Sequence, residues 1–265
     1  MSVAVITGAA SGIGAGLARE AARRGMHVVL ADRDAAALDN VASEIGDAAH
    51  AVVTDVTDQA AVEALANICY RLHGQVDLLF NNAGVMTTGI SWEIAPELWD
   101  ASWNVNIGGI LNGLRAFVPR LIAADRPARI INTASVGGFL PSPLMAPYSA
   151  TKFAVVALTE ALAGELKAKR SKVEVSLLSP GPVKSQIFRE EPAEASRTLH
   201  QLMTSMLERD GLAPDEFAPL VFDAISRGDY WIFPQADRFD DRFRARNDRI
   251  EQRLPPSFYG AEETR

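Results

Sequence analysis

Short, continuously apolar runs alternate along the chain with longer stretches in which apolar residues recur at helical spacing. The runs Val3–Thr7, His27–Ala31, Ala49–Val53, Asp77–Phe80, Arg129–Thr133, Val173–Leu178 and Tyr230–Phe233 read as strands. They lack strict apolar/polar alternation, as expected of strands covered on both faces of a parallel sheet. Helical periodicity falls between them, near 12–24, 34–45, 58–73, 96–122, 147–168 and 214–227. Strand and helix in turn predict an α/β fold, a doubly wound parallel sheet of about seven strands with right-handed crossovers and helices on both faces. No low-complexity linker interrupts the pattern, so 1–265 reads as a single domain. Two stretches depart from the rhythm. Residues 184–212 carry no strand but hold Ile187, Phe188, Leu199, Leu202, Met203, Met206 and Leu207. The tail, 235–265, interleaves six arginines from Arg238 to Arg253 with Asp237, Asp240, Asp241, Asp248 and Glu251. Mixed charges at that spacing predict a solvated helix held by local ion pairs, with a polyanion site as the alternative.

Composition narrows the function. A chain of 265 residues, 48% of them hydrophobic, can bury a large core without disulfides or metals. A net charge of −7 argues against nucleic acid, which needs a basic face. No run of 18 apolar residues is present to span a membrane. The N-terminus enters a strand with no basic segment before it, so no signal peptide is expected and the cytoplasm is the expected compartment. The sole cysteine, Cys69, lies among Leu65, Ile68 and Leu72 and reads as inert core. His27, His50, His73 and His200 lack ligand spacing, so no metal site is expected.

The chemistry begins at Gly8-Ala9-Ala10-Ser11-Gly12-Ile13-Gly14, which follows the first strand and opens the first helix. Glycines there let backbone N–H groups approach a pyrophosphate at the helix N-terminus. Asp32 ends the second strand, where a carboxylate can accept hydrogen bonds from ribose hydroxyls; its plainer reading is a cap for the next helix. Tyr148 and Lys152 stand four apart on one predicted helix and so share a face. An ordinary tyrosine, with pKa about 10, is only about one part in a thousand ionised at pH 7. A nearby lysine favours the phenolate; lowering the pKa by two or three units takes roughly 3–4 kcal/mol.

The GxxxGxG spacing resembles the short-chain dehydrogenase/reductase family in its roughly 250-residue form, and further motifs agree in order. Asp55-Val56, Asn81-Asn82-Ala83-Gly84, Asn106, Ser135, the YxxxK segment Tyr148–Lys152 and Pro180-Gly181-Pro182-Val183 match it across about residues 1–185. The resemblance implies a Rossmann fold and a catalytic tetrad of Asn106, Ser135, Tyr148 and Lys152. Tyr148 would be the general acid/base, Ser135 would hold the substrate oxygen, Lys152 would bond the nicotinamide ribose and Asn106 would position a relay water. It implies a cofactor site of Gly8, Ser11, Gly12, Ile13, Gly14, Asp32, Arg33, Asp55, Val56, Asn82, Ala83, Gly84, Tyr148, Lys152, Pro180, Gly181, Val183 and Ser185. Ser185 stands where the family usually has threonine.

Asp32 favours NAD, since it would repel a 2′-phosphate; Arg33 pulls toward NADP, and an NADPH-preferring carbonyl reductase is the alternative. A silent cofactor-binding sensor is a further alternative, although such proteins typically lose the tyrosine or lysine retained here. The resemblance makes 184–212 a lid over a substrate pocket that includes Ser135, Phe139, Leu144, Met145, Tyr148, Ile187 and Phe188. That lining suits a small apolar secondary alcohol or ketone. The stretches from Asn112 to Arg120, Val183 to Ile187 and Tyr230 to Pro234 are similar to bacterial enzymes oxidising bulky aryl alcohols, including lignin-derived aryl-ether Cα-dehydrogenases. Steroid or simple cyclic alcohols fit the same composition. Small and apolar residues Ala154, Val155, Ala157, Leu158, Ala161 and Leu162 imply helix pairing in a homodimer or homotetramer.

Overall fold

The computed structural model describes residues 2–188 and 194–258, so Arg189 and the end of the tail lie outside the described residues. Seven parallel strands form one sheet in the order β3-β2-β1-β4-β5-β6-β7: β1 Val3–Thr7, β2 His27–Asp32, β3 Ala49–Val53, β4 Leu78–Asn81, β5 Ala128–Thr133, β6 Val173–Leu178 and β7 Trp231–Ile232. It is the doubly wound Rossmann-type sheet expected, and each apolar run became a strand. The last strand is shorter than its run because only Trp231 and Ile232 find ladder partners, opposite Leu177 and Leu178.

Helices α1 (Gly12–Arg23), α2 (Ala35–Ile45) and α8 (Pro214–Arg227) cover one face. Their apolar sides bury Leu17, Leu38, Phe217 and Val221 against Ile6, Leu30 and Phe80 of the sheet. The opposite face is covered by α3 (Gln59–His73), α5 (Gly109–Ala123) and α6 (Ala146–Ala168), which bury Leu65, Phe117 and Leu162. Cys69 is fully buried there, and burial pushes its thiol up to about 12. Asp34 and Asp58 cap α2 and α3 by accepting from the first-turn N–H groups of Ala37 and of Ala60 and Ala61.

The stretch 96–122 is not one regular helix. Helix α4 (Pro96–Trp103) passes through a π-helical turn at Asn104–Gly108 before α5 begins. A π-turn admits an extra residue and displaces the side chains that follow it, often beside a functional site. The two irregular stretches also contain helices, α7 (Arg197–Asp210) and α9 (Asp240–Glu251). Among the described residues no helix is long and apolar enough to cross a membrane.

The sheet winds outward in both directions from β1 and β4. Ligands in such sheets bind beyond the strands' carboxyl ends at that switch. The loops leaving β1, β2, β3, β4, β5 and β6 all converge there.

Candidate active site

A cavity of about 1090 Å³ lies over those carboxyl ends. Its floor is the turn from Gly8 to Gly14, bare at the three glycines, where a Cβ would not fit. A Cβ on Gly14 would come within 2.0 Å of the Gly8 carbonyl oxygen. Gly12 takes φ +51°, and a Cβ there would meet the Ser185 side chain at 2.8 Å. Ser11 precedes α1 in extended conformation and makes no side-chain hydrogen bond to the helix, so the helix N-terminus opens onto the cavity. Such a floor, with helix N–H groups facing it, fits a dinucleotide pyrophosphate.

At one end of the cavity Asp32 is held by two backbone donors, Ala10 N–H to Oδ2 and Asp34 N–H to Oδ1, both at 3.1 Å. The helix is capped by Asp34 instead, which leaves Asp32 facing the cavity. Arg33 and Asp55 line the same end. The Thr57 N–H and hydroxyl, and Arg33's charge, hold the Asp55 carboxyl below its ordinary pKa. In the middle, Thr7 Oγ1 accepts from the N–H groups of Asn82 and Ala83 at 2.9 and 3.1 Å, and Asn82 Nδ2 donates to the Thr7 carbonyl at 3.0 Å. One layer deeper, Asn81 Nδ2 donates to Asn132 Oδ1 at 2.9 Å. The Asn-Asn-Ala-Gly segment thus braces β1, β4 and β5 while Asn82, Ala83 and Gly84 line the cavity.

Toward the other end, α6 presents Tyr148 and Lys152 on one buried face, 7% and 4% exposed. Lys152 Nζ donates to the Thr133 carbonyl at 2.9 Å and lies 5.7 Å from the centre of the Tyr148 ring. Burial lowers Lys152 to about 8. Burial also pushes the Tyr148 phenol above its ordinary value, and a hydrogen bond with Ser135 pulls it back in part. Ser135 Oγ is fixed by accepting from Gly137 N–H at 3.0 Å. Without a ligand the site therefore favours the neutral phenol, and ionisation needs added positive charge nearby.

Asn106 stands close to Lys152, its Oδ1 and the Lys152 Nζ lying 3.2 and 3.5 Å from where a Cβ on Gly84 would be. It is fully buried within the π-turn, and its side chain does not line the cavity. Its Oδ1 accepts from Val85 N–H at 2.9 Å, while Nδ2 donates to the Val85 carbonyl at 3.0 Å and to Thr151 Oγ1 at 2.9 Å. Thr151 in turn donates to the Tyr148 carbonyl at 2.8 Å. Asn106 is thus a positioning residue that ties the β4 loop to the helix carrying Tyr148. Asn106→Ala is expected to lower unfolding free energy by about 2–3 kcal/mol, given three hydrogen bonds of a fully buried side chain at about 1 kcal/mol each. Urea denaturation of both proteins checks this.

The remaining expected residues share the cavity, with one exception: Gly8, Ser11, Gly12, Ile13, Gly14, Asp32, Arg33, Asp55, Val56, Pro180, Gly181, Val183, Ser185, Leu144, Met145, Ile187 and Phe188 all line it. Leu144 does so at φ +62°, a strained conformation for a bulky residue. Phe139 is the exception. It turns away from the cavity into an aromatic cluster with Trp231, Phe233 and Phe243, at ring distances of 5.5–5.9 Å. Helix α7, none of whose described residues is buried, adds Leu199, Leu202, Met203, Met206 and Leu207 to the lining. Backbone hydrogen bonds from Leu212 to Pro182 and from Lys184 to Leu212, at 3.2 and 2.9 Å, tie the residue after α7 back to the Pro180–Lys184 loop. Arg209, Asp210, Arg238, Phe239 and Arg242 also line the cavity. The sequence offered the tail arginines only as a polyanion-site alternative and did not place any of these five at the cofactor cavity.

The sequence model described as short chain dehydrogenase matches residues 2–196. Over 252 residues the chain is 35% identical to 1-deoxy-11-beta-hydroxypentalenate dehydrogenase of Streptomyces avermitilis, covering 91% of this chain and 88% of that one. It is 33% identical over 250 residues to the C alpha-dehydrogenase of Sphingobium sp., covering 88% and 80%. A crystal structure of a short chain dehydrogenase/reductase from Burkholderia phymatum in complex with NAD superposes with a TM-score of 0.94 at 34% identity, covering 98% of each chain.

Proposed function

Because the chain belongs to the short-chain dehydrogenase family, oxidoreductases that act on CH–OH groups with a nicotinamide cofactor, we propose that it transfers a hydride between NAD and an apolar secondary alcohol or ketone, with Tyr148 as general acid and base. The observation that carries this reading is the convergence of Ser135, Tyr148 and Lys152 at one end of a cavity whose other end is Asp32. When bound, the nicotinamide supplies the hydride acceptor. Gly8 to Gly14 with the α1 N-terminus would hold its phosphates, Asp32 its adenosine ribose, and Val183 and Ser185 its carboxamide side. Ser135 Oγ holds the alcohol oxygen, Tyr148 Oη takes its proton, and Lys152 favours the phenolate through its charge. In reduction the same phenol returns the proton.

Leu144, Met145, Ile187 and Phe188, with the α7 side chains, support an apolar substrate. The C alpha-dehydrogenase among the relatives is in keeping with an aryl alcohol. Self-association across α5 and α6 is part of the reading: Val155 and Leu162 turn into the core, and Ala157 and Ala161 stay exposed. The test is NADH formation from NAD across a panel of secondary alcohols, repeated with NADP. For the cofactor, Asp32→Ala is expected to raise the KM for NAD at least about tenfold, the worth of one charged hydrogen bond, and to narrow the preference over NADP. Faster wild-type turnover with NADP would reverse the assignment in favour of Arg33.

A further inference from the structure

The Pro180–Val183 loop has few ways of holding its own shape. Pro180 and Pro182 carry no backbone N–H, so carbonyl oxygens are the handles by which neighbours grip it. The Pro180 carbonyl accepts from Val136 N–H at 3.0 Å, which sets the loop beside Ser135. The Pro182 carbonyl accepts from Leu212 N–H at 3.2 Å and, from the tail, from Gln235 Nε2 at 2.9 Å. Pro180, Gly181, Pro182 and Val183 all line the cavity, whereas Gln235 does not. The loop therefore belongs to the Ser135–Tyr148 end, and Gln235 grips it from behind.

The grip is built from one continuous stretch of chain. The Ile232 carbonyl accepts from Ser179 N–H at 2.9 Å, just before the loop begins. Gln235 follows, and the 3₁₀ turn Ala236–Arg238 then folds Phe239 under Gly181. A Cβ on Gly181 would come within 2.6 Å of the Phe239 ring and 2.7 Å of Gln235 Oε1, so both press on bare backbone. Phe239 is buried, and Arg238 anchors the turn by donating to the Asp210 carbonyl at 2.9 Å. Gln235 Oε1 is buried and accepts no hydrogen bond among the described residues, so the Nε2 donor is what the amide contributes.

We propose that Gln235 is a positioning residue for the cofactor: backed by Phe239, it fixes the Pro180–Val183 loop in the shape that receives the nicotinamide end. This rests on the reading that Val183 and Ser185 hold the carboxamide side, and it names what keeps that loop ready. A loop already in its binding conformation costs less ordering entropy when the ligand arrives. Without the amide, that cost falls on the nicotinamide half of the cofactor alone. The adenosine half is served by Asp32 and the glycine turn at the other end of the cavity and feels no change.

The test is calorimetry of two ligands with the full-length protein and its Gln235→Met variant. One ligand is NADH; the other is ADP-ribose, which keeps the adenosine half and lacks the nicotinamide. Methionine matches glutamine in length and cannot donate. The variant should fold, since the Pro182 carbonyl keeps Leu212 N–H and the orphaned Oε1 leaves with the donor. It is expected to bind NADH about fivefold more weakly, the worth of one neutral hydrogen bond, and ADP-ribose within about twofold of the wild type. Gln235→Glu, equally long and without the donor at neutral pH, should show the same selective loss, and it decides the matter if the methionine variant does not fold. Equal losses for both ligands would make Gln235 merely structural and overturn the proposal. Unchanged NADH affinity overturns it as well. The underlying reading is checked in the wild type, where NADH should bind more tightly than ADP-ribose. Equal affinities there would mean that the loop gives the nicotinamide no hold, which overturns that reading and the proposal with it.

Discussion

Tyr148→Phe is expected to lower kcat for alcohol oxidation by about three orders of magnitude, within the 10²–10⁴ range for removing a positioned general acid or base. The ring is 7% exposed and only its hydroxyl meets Ser135, so phenylalanine keeps the packing of α6. Unfolding free energy should therefore change by no more than about 1 kcal/mol, the worth of one hydrogen bond. The pH profile separates proton transfer from a loss of binding. In the wild type, kcat/KM for oxidation should rise with pH, because burial holds the phenol above its ordinary value in the free protein and the phenolate is the scarce form. Carbonyl reduction, which needs the phenol, should not show that rise. Residual oxidation by the variant should lose the Tyr148 limb of the profile. Steady-state rates from pH 6 to 10 with NAD and a secondary alcohol check all three points. A variant retaining a tenth or more of wild-type kcat would remove Tyr148 from the mechanism.

The parts of this architecture that local chemistry dictates were legible in the residues. Strand β1 ends where Gly8 must take a positive φ, and β6 ends where Ser179 leads into Pro180, so an apolar run and its terminator fixed both. The glycine floor was legible for the same reason, since a bare turn between strand and helix has few other uses. Features decided by distant partners were not. Phe139 follows Ser135 closely and is apolar, so it reads as pocket lining. Trp231, Phe233 and Phe243, nearly a hundred residues on, claim it for their own cluster. The π-turn in 96–122 leaves the apolar period nearly intact; what shapes the site there is Asn106 bonding to Val85 and Thr151.

The tail illustrates the same limit from the other side. Its alternating charges predict a helix, and α9 forms. Nothing in that alternation says that Phe239 will seal the Pro180–Pro182 loop, or that Arg238 will reach the end of α7. Asp32 and Asp34 show how close two readings can stand. Either carboxylate could cap α2 by sequence; Asp34 stands directly before the helix and accepts from Ala37 N–H, whereas Asp32 ends β2. The cap is settled two residues away, and Asp32 is left to the cavity.

Lys152→Met is expected to abolish turnover, since the phenolate loses its cationic neighbour, and to make the ligand-free protein's stability less dependent on pH. The lysine is 4% exposed, and burial alone drives its pKa from 10.5 to about 8. A depressed lysine means that between about pH 8 and 10.5 the unfolded chain holds a proton the folded protein has released. Stability rises with pH wherever the unfolded state binds more protons, so the wild type gains across that window and carries the full cost of the buried charge below it. A shift of about 2.5 units corresponds to about 3 kcal/mol. Methionine has a similar length and no proton to lose, so it removes this cost at neutral pH. It also leaves the Thr133 carbonyl without its donor, which gives back about 1–3 kcal/mol. The two contributions nearly offset at pH 7, but only the first varies with pH. The difference in unfolding free energy, wild type minus variant, should therefore climb by about 3 kcal/mol between pH 7.5 and pH 10.5. Urea denaturation of the two proteins at matched pH measures it, other titrations cancelling between them. A flat difference would mean that Lys152 keeps its ordinary pKa in the folded protein. The buried cation would then cost the fold nothing and would stay fully charged beside Tyr148 across the working pH range.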